Sequence, residues 1–443
     1  MNRPTEVPAS PSASPAARLA IRGGEPLRTK PFPNWPVFDE SEEQAVLSVL
    51  RSGRWWGVSF GEGPHTNAPA GEGPDHKVTE FQTAFARMQG VPYAIACASG
   101  TAALEVGLKA LGVGPGDEVI VPPYTFVATA TAPLMVNAVP IFADIDPQTL
   151  NLDPRRVREA ITPRTRAVIP VHFAGLAADM EAILAVARDR GLTVLEDAAH
   201  AHGGKWNDCG LGSLGQAGTF SFQASKNMTA GEGGLIVTGD AELARKCESL
   251  VWGGRELGRA WYEHFRLGWN YRLTEFQAAI LIEQLKRLPA QNVRRMENAR
   301  YLNRRLAEIP GIHPMRVPEY ATVHPYHIYA FRFREEEFGA PRDRFLEAFA
   351  AEGIPCSGGY AFPLYRNEMF VNRDFYPRGC PLTCGHYSGT VDYRDFEALC
   401  PVAEQVCRDA VWLEHRVLLG TLGDVEDIAN AVAKIHECRT QLR

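Results

Sequence analysis

From Val78 onward the chain alternates helix-length amphipathic stretches with short apolar runs, and this alternation restricts the fold more than any other feature. Phe81, Phe85 and Met88 mark a helix, and strand-like 93–97 follows. The same exchange repeats as helix 102–111, strand 118–121, helix 128–136, strand 140–142, helix 155–161, strand 167–171, helix 180–189 and strand 193–196. Apolar runs this short cannot cover themselves, and helices between them cover both faces of a mostly parallel sheet. After Leu250 the pattern changes. A capping box at 274–277 opens a helix with the stripe Phe276, Ala279, Ile280, Leu285 and Leu288. A helical connector over 292–309 then leads to a half-buried strand at 327–333 and helices at 344–352 and 425–438. The fold expected is α/β, a large sheet domain followed by a smaller α+β C-terminal domain. A length of 443 residues with 45% hydrophobic composition suits such a pair. The expected divisions are a disordered Pro/Ala/Ser-rich tail over 1–18, an arm with the large domain over 19–290, and the small domain over 291–443.

Several function classes are disfavoured. A net charge of -6 gives no basic field for nucleic acid. The most apolar stretch, 125–142, is broken by Pro133, Asn137 and Pro140, so no membrane span is expected. Nine scattered cysteines include no CxxC pair, and Cys380, Cys384 and His386 lack a second ligand pair, so no metal is expected. Free thiols and an N-terminus without a signal-peptide core point to the cytoplasm. The adjacent Trp55 and Trp56 read as a buried anchor or a ligand wall. The glycine-rich 57–75 that follows reads as a lid or an insertion.

In open α/β sheets ligands sit beyond the carboxyl ends of the strands, and four groups fall there. Ser99-Gly100-Thr101 opens a helix after a strand and offers a phosphate site or an ordinary cap. Asp197 ends an apolar strand and suits a protonated ring nitrogen, or caps the next turn. His200, close behind it, suits a neutral hydrogen-bonding role. Phe126, just past a strand, is either a stacking plate or plain core. Lys226 lies among small and hydroxyl residues between apolar runs 218–222 and 235–238, with Ser221 five positions before it. It is a solvated hairpin lysine or an amine placed to form a Schiff base. A phosphate helix, an aromatic plate, an acid and a loop lysine, each placed at a strand end, compose a pyridoxal 5'-phosphate pocket.

The motifs Ser-Gly-Thr-Ala-Ala-Leu at 99–104, Gly-Asp-Glu-Val-Ile at 116–120 and Pro-Val-His-Phe-Ala-Gly at 170–175 resemble the DegT/DnrJ/StrS-type sugar aminotransferases of fold-type I. So do Glu-Asp-Ala-Ala-His-Ala-His-Gly at 196–203, the Lys226 segment with its Gly-Glu-Gly-Gly, and Asn-Tyr-Arg-Leu-Thr-Glu-Phe-Gln-Ala-Ala at 270–279. The resemblance implies a homodimeric transaminase. Lys226 would carry the cofactor and shuttle the proton, Asp197 pair with the ring nitrogen, and Phe126 stack on the ring. Gly100, Thr101 and Ser221 would hold the phosphate, with Asn270 arriving from the partner subunit, and His200 would lie near the ring oxygen. The opening around Trp35-Pro36 and Ser52-Gly53-Arg54-Trp55-Trp56 is similar to the branch acting on scyllo-inosose-type cyclitol ketones, with glutamine or glutamate as donor. A nucleotide-keto-sugar aminotransferase and a non-catalytic cofactor-binding regulator are the alternatives. The stretches 57–75 and 373–394 are longer than the resemblance implies and would border the substrate pocket.

Overall fold

The computed structural model describes residues 18–55, 76–260 and 262–442. The expected tail (apart from Arg18), Trp56 and the 57–75 stretch lie outside the described residues. Helix α1 spans Glu40–Ser52 and α2 spans Lys77–Gln89. The alternating region then forms β1 (Tyr93–Cys97), α3 (Gly100–Ala110), β2 (Glu118–Val121), α4 (Ala128–Met135), β3 (Val139–Phe142), α5 (Pro154–Ala160), β4 (Thr165–Val168), α6 (Met180–Arg190) and β5 (Thr193–Asp197). A two-stranded hairpin, β6 (Lys205–Trp206) and β7 (Cys209–Gly210), precedes β8 (Ala217–Ser221), β9 (Gly234–Thr238) and α7 (Ala241–Val251).

The large sheet has the order β1-β9-β8-β5-β4-β2-β3. The pairings β2–β3, β2–β4, β4–β5 and β5–β8 are parallel, while β9 is antiparallel to both β1 and β8. Strand β9 therefore runs alone against six others. Cys97, Ser221, Asp197 and Val121, which end their strands, reach the same edge as Gly234, which begins β9. Strands β2, β3, β8 and β9 are buried throughout, as expected of a sheet covered on both faces.

Helix α8 (Glu275–Leu306) is continuous, where the sequence suggested a stripe followed by a separate connector. Thr274 and Gln277 form its capping box, and Pro289 is accommodated inside it. Packing on both domains holds the helix together across the proline, overriding the local preference for a break. The 290/291 division falls within it.

A second core surrounds the antiparallel strands β10 (Ile312–Pro314), β11 (Ile328–Phe333) and β12 (Ala410–Glu414), with helices Arg342–Ala351 and Leu422–Glu437. Leu19 and Phe32 of the N-terminal arm are buried in this core. Arg28 fastens the arm through ion pairs to Asp424 at 2.8 Å and Asp427 at 2.7 Å. Residues 364–410, in contrast, return to the first core, where Tyr365, Phe370, Tyr393 and Phe396 surround Phe142 at ring separations of 5.4–5.9 Å. Within this segment Tyr387 donates to Glu118 at 2.8 Å, and Glu118 begins β2. That contact ties one part of the 373–394 stretch to the start of β2, while Tyr393 donates to the Pro140 carbonyl at 3.2 Å and packs on Phe142, which ends β3 beside Val121. The stretch thus runs along the outer strands β2 and β3.

Candidate active site

The edge carrying the strand ends gathers the residues singled out above. Ser99 caps α3 by accepting from the Ala102 N–H at 3.1 Å. A Cβ on Gly100 would lie 2.7 Å from Ser221 Cβ, and one on Gly234 would lie 2.1 Å from the Ser99 carbonyl oxygen. These glycines let the start of α3, the end of β8 and the start of β9 close on one another. The free N–H groups of an eleven-residue helix thus meet the Ser221 side chain, with Thr101 in the first turn. Unpaired helix N–H groups and a hydroxyl in a cradle lined by glycine suit a phosphate.

Asp197 is only 6% exposed. Its carboxylate accepts from the Thr129 hydroxyl at 2.8 Å and the Ala199 N–H at 3.2 Å. Burial raises its pKa, and the two hydrogen bonds and the nearby Lys226 charge oppose that rise. Lys226 follows a turn closed by its own N–H to the Gln223 carbonyl at 2.9 Å. Desolvation lowers its pKa from 10.5 to about 8 even though Asp197 acts in the other direction. A half-buried amine and a buried carboxylate thus lie within electrostatic reach of each other where the resemblance puts the cofactor ring. Phe126, at the same edge before α4, is 58% exposed, so core packing does not account for it.

His200 Nδ1 accepts from the Ala174 N–H at 3.3 Å, and its ring lies 4.2 Å from His327. Burial holds both imidazoles well below the ordinary histidine pKa, so both are neutral. The bond to Nδ1 places the His200 proton on Nε2, making that nitrogen a donor. His202 Nε2 donates to the Ser221 carbonyl at 2.9 Å, which gives this second histidine a place in the loop's support. No group of three or more metal-ligating side chains exists among the described residues.

The loop around Lys226 is held by partners from distant parts of the chain. Trp35 Nε1 donates to the Ala224 carbonyl at 3.0 Å and His415 Nε2 to the Ser225 carbonyl at 3.1 Å. Beyond the lysine, Asn227 donates to the Pro325 carbonyl at 2.8 Å and meets His327 Nδ1 at 3.0 Å. Gly231 and Gly233, with φ of 82° and 152°, turn the chain back toward β9. Thr129, the partner of Asp197, was missed; its place one turn beyond Phe126 is the only signal in the sequence. Asn270 is exposed and bridges to Trp252, so within this chain it is placed beside α7.

The cradle, the acid, the aromatic plate and the desolvated lysine fit pyridoxal phosphate. Comparison with known proteins agrees. Residues 72–433 match the model of the DegT/DnrJ/EryC1/StrS aminotransferase family. An L-glutamine:2-deoxy-scyllo-inosose aminotransferase of Streptomyces fradiae is 42% identical over 436 residues, covering 94% of this chain and 97% of the relative. Its counterpart in Streptoalloteichus tenebrarius is 40% identical over 444 residues, covering 96% of this chain and 99% of the relative. The crystal structure of 3-amino-5-hydroxybenzoic acid synthase superposes with a TM-score of 0.78 at 35% identity, covering 91% of this chain and 99% of the other.

Proposed function

Because this chain belongs to the DegT/DnrJ/EryC1/StrS aminotransferase family, and so is a pyridoxal phosphate-dependent aminotransferase, we propose that it aminates a scyllo-inosose-type keto-cyclitol with L-glutamine as donor. The cofactor, when bound, supplies an electron sink and carries the amino group from donor to acceptor. The remaining steps belong to the protein's own residues.

The observation that carries this proposal is the Lys226 amine, desolvated and within electrostatic reach of Asp197. With a pKa of about 8, roughly a tenth of it is neutral at pH 7, against about one part in three thousand at 10.5. That gain of about 300-fold is the difference between a solvated cation and a usable nucleophile. Lys226 Nζ would move the proton from the donor Cα to the cofactor, and in the second half-reaction from the cofactor to the acceptor carbon. Asp197, held by Thr129, would keep the ring nitrogen protonated. The α3 N-terminus with Gly100 and Thr101, together with Ser221, would hold the phosphate. Phe126 would stack on the ring, and His200 Nε2–H would donate toward the ring oxygen.

A homodimer completes this proposal, with exposed Asn270 reaching the phosphate site of the partner subunit. The cytoplasm is its expected compartment, consistent with nine cysteines of which none forms a disulfide. The glutamine-linked names of the similar proteins support the donor.

Amino-15N-labelled L-glutamine supplied with 2-deoxy-scyllo-inosose tests the proposal by mass spectrometry of the product. Label in an aminocyclitol is the expected result. Label appearing instead in a nucleotide keto-sugar, offered in a parallel reaction, would overturn the acceptor. Transfer from labelled glutamate but not glutamine would overturn the donor.

A further inference from the structure

Among the described residues, the largest side chain enclosed completely is a cation. Arg295, on α8, is 0% exposed. Its Nη1 donates to Asn292 Oδ1 at 3.0 Å, and its Nη2 donates to His415 Nδ1 at 3.2 Å and Gln291 Oε1 at 3.5 Å. Its guanidinium carbon lies 5.7 Å from the centre of the Trp35 ring. Among the described residues no hydrogen-bond partner meets Nε and no carboxylate pairs with the charge. Burial without a counter-ion lowers its pKa from 12.5 to about 9, which still leaves it charged at neutral pH.

An unpaired buried cation is costly, and an apolar side chain of similar volume would fill the space without that cost. What guanidinium adds is a rigid set of donors. A donor on His415 Nδ1 makes that nitrogen the bare one, so the ring proton sits on Nε2. Nε2 is the atom that donates to the Ser225 carbonyl. The Trp35 indole packs edge-to-face on His415 with centroids 4.4 Å apart and donates to the Ala224 carbonyl. Arg295 thus contacts both rings that secure the two carbonyls immediately before Lys226. It also joins three distant parts of the chain at this point: the arm through Trp35, α8 itself, and the end of β12 through His415.

We propose that Arg295 is a positioning residue: by fixing the His415 tautomer and supporting Trp35, it sets the path of Ala224–Ser225 and hence the placement of the Lys226 amine. The proposal rests on Lys226 being the reactive amine. No described hydrogen bond joins Arg295 to Asp197, Ser221 or the start of α3; a longer relay runs from Arg295 through Asn292 to the His202 carbonyl, and His202 donates to the Ser221 carbonyl, whereas the route through His415 and Trp35 reaches the two residues before the lysine.

Arg295→Met, Arg295→Lys, His415→Leu and His415→Gln, each loaded with pyridoxal phosphate, test it. Two readouts are needed: spectrophotometric pH titration of the lysine-linked cofactor band, and the single-turnover rate with L-glutamine. Arg295→Met and His415→Leu are expected to shift the titration midpoint and slow the half-reaction by roughly 10- to 100-fold. Arg295→Lys should recover part of the loss, as should His415→Gln, whose amide can still donate to Ser225. Combining Arg295→Met with His415→Leu should do no more than the more damaging of the two alone, because they act largely in series. If Arg295→Met does not fold, the two His415 variants decide the matter by the difference between them. An unchanged midpoint and rate with only a lower melting temperature would overturn the proposal. So would losses that multiply in the double variant. Absence of the lysine-linked band from the unsubstituted protein would instead refute the assignment of Lys226.

Discussion

The Thr129 hydroxyl donates to the Asp197 carboxylate at 2.8 Å, joining the first turn of α4 to the end of β5 at the base of the site. A carboxylate so enclosed is costly to keep charged, and burial raises its pKa. An acid whose folded pKa is raised destabilises the fold above its unfolded pKa, and that penalty fades as pH falls and it protonates. Asp197→Asn, which retains an acceptor for Thr129, should therefore raise the melting temperature of the cofactor-free protein at pH 7. It should also lower kcat by roughly 10²- to 10⁴-fold, since a neutral amide does not hold a ring nitrogen protonated. Thermal unfolding and steady-state rates check both halves.

The Lys226 amine should titrate near pH 8 in the cofactor-free protein. Its rate of modification by an amine-selective reagent, followed at Lys226 by peptide mass spectrometry, should rise with pH to a midpoint near 8. Exposed lysines should instead follow a midpoint near 10.4. Asp197→Asn removes the charge that favours the ammonium form, so its midpoint should fall further. A midpoint that rises in Asp197→Asn would mean the two groups are not within electrostatic reach of each other.

Gly100→Ala would place a methyl carbon 2.7 Å from Ser221 Cβ. Pushing Ser221 away from α3 opens the cradle, so cofactor affinity should fall by about tenfold or more, equivalent to about 1.4 kcal/mol. The fold should lose no more than about 1–3 kcal/mol. Equilibrium dialysis against pyridoxal phosphate and thermal unfolding separate the two effects.

The arm should contribute to stability far from the chemistry. Arg28→Ala leaves Asp424 buried without its arginine partner and should cost about 3–5 kcal/mol in denaturant unfolding. Burial opposes ionisation of Asp424, but the Thr421 hydroxyl and backbone, then Arg28, together hold its pKa well below the ordinary carboxylate value. A depressed acid contributes stability above its unfolded pKa and loses it as pH falls below that value. The arm's contribution should therefore persist at neutral pH and decline below about pH 4. Part of that acid-side decline should be absent in Arg28→Ala.

Much of the sheet was legible because its code is local. The runs that became β2, β3, β5, β8 and β9 are short, apolar and bounded by turn residues, and Thr274 with Gln277 announced the start of α8. The strand-end rule then drew attention to Gly100, Asp197, Ser221 and Lys226, which the fold gathers along one edge. The remaining support was silent in the sequence because its partners are far apart in the chain. Trp35 and Ala224 are 189 positions apart, and Ser225 and His415 are 190. Nothing near Arg295 in α8 says that its charge is enclosed, because burial there depends on an arm and a strand folded from opposite ends of the chain. The packing of residues 373–394 on the outer strands was silent for the same reason: Tyr387 and its partner Glu118 are 269 positions apart.

The central claim, that Lys226 holds a cofactor which takes the amino group of glutamine, is tested most directly by mixing the cofactor-loaded protein with L-glutamine in the absence of acceptor and recording the absorption spectrum. The lysine-linked band should decline as the amine form of the cofactor appears, and 2-deoxy-scyllo-inosose added afterwards should restore it. A spectrum unchanged by glutamine, glutamate or any other amino acid would contradict the claim.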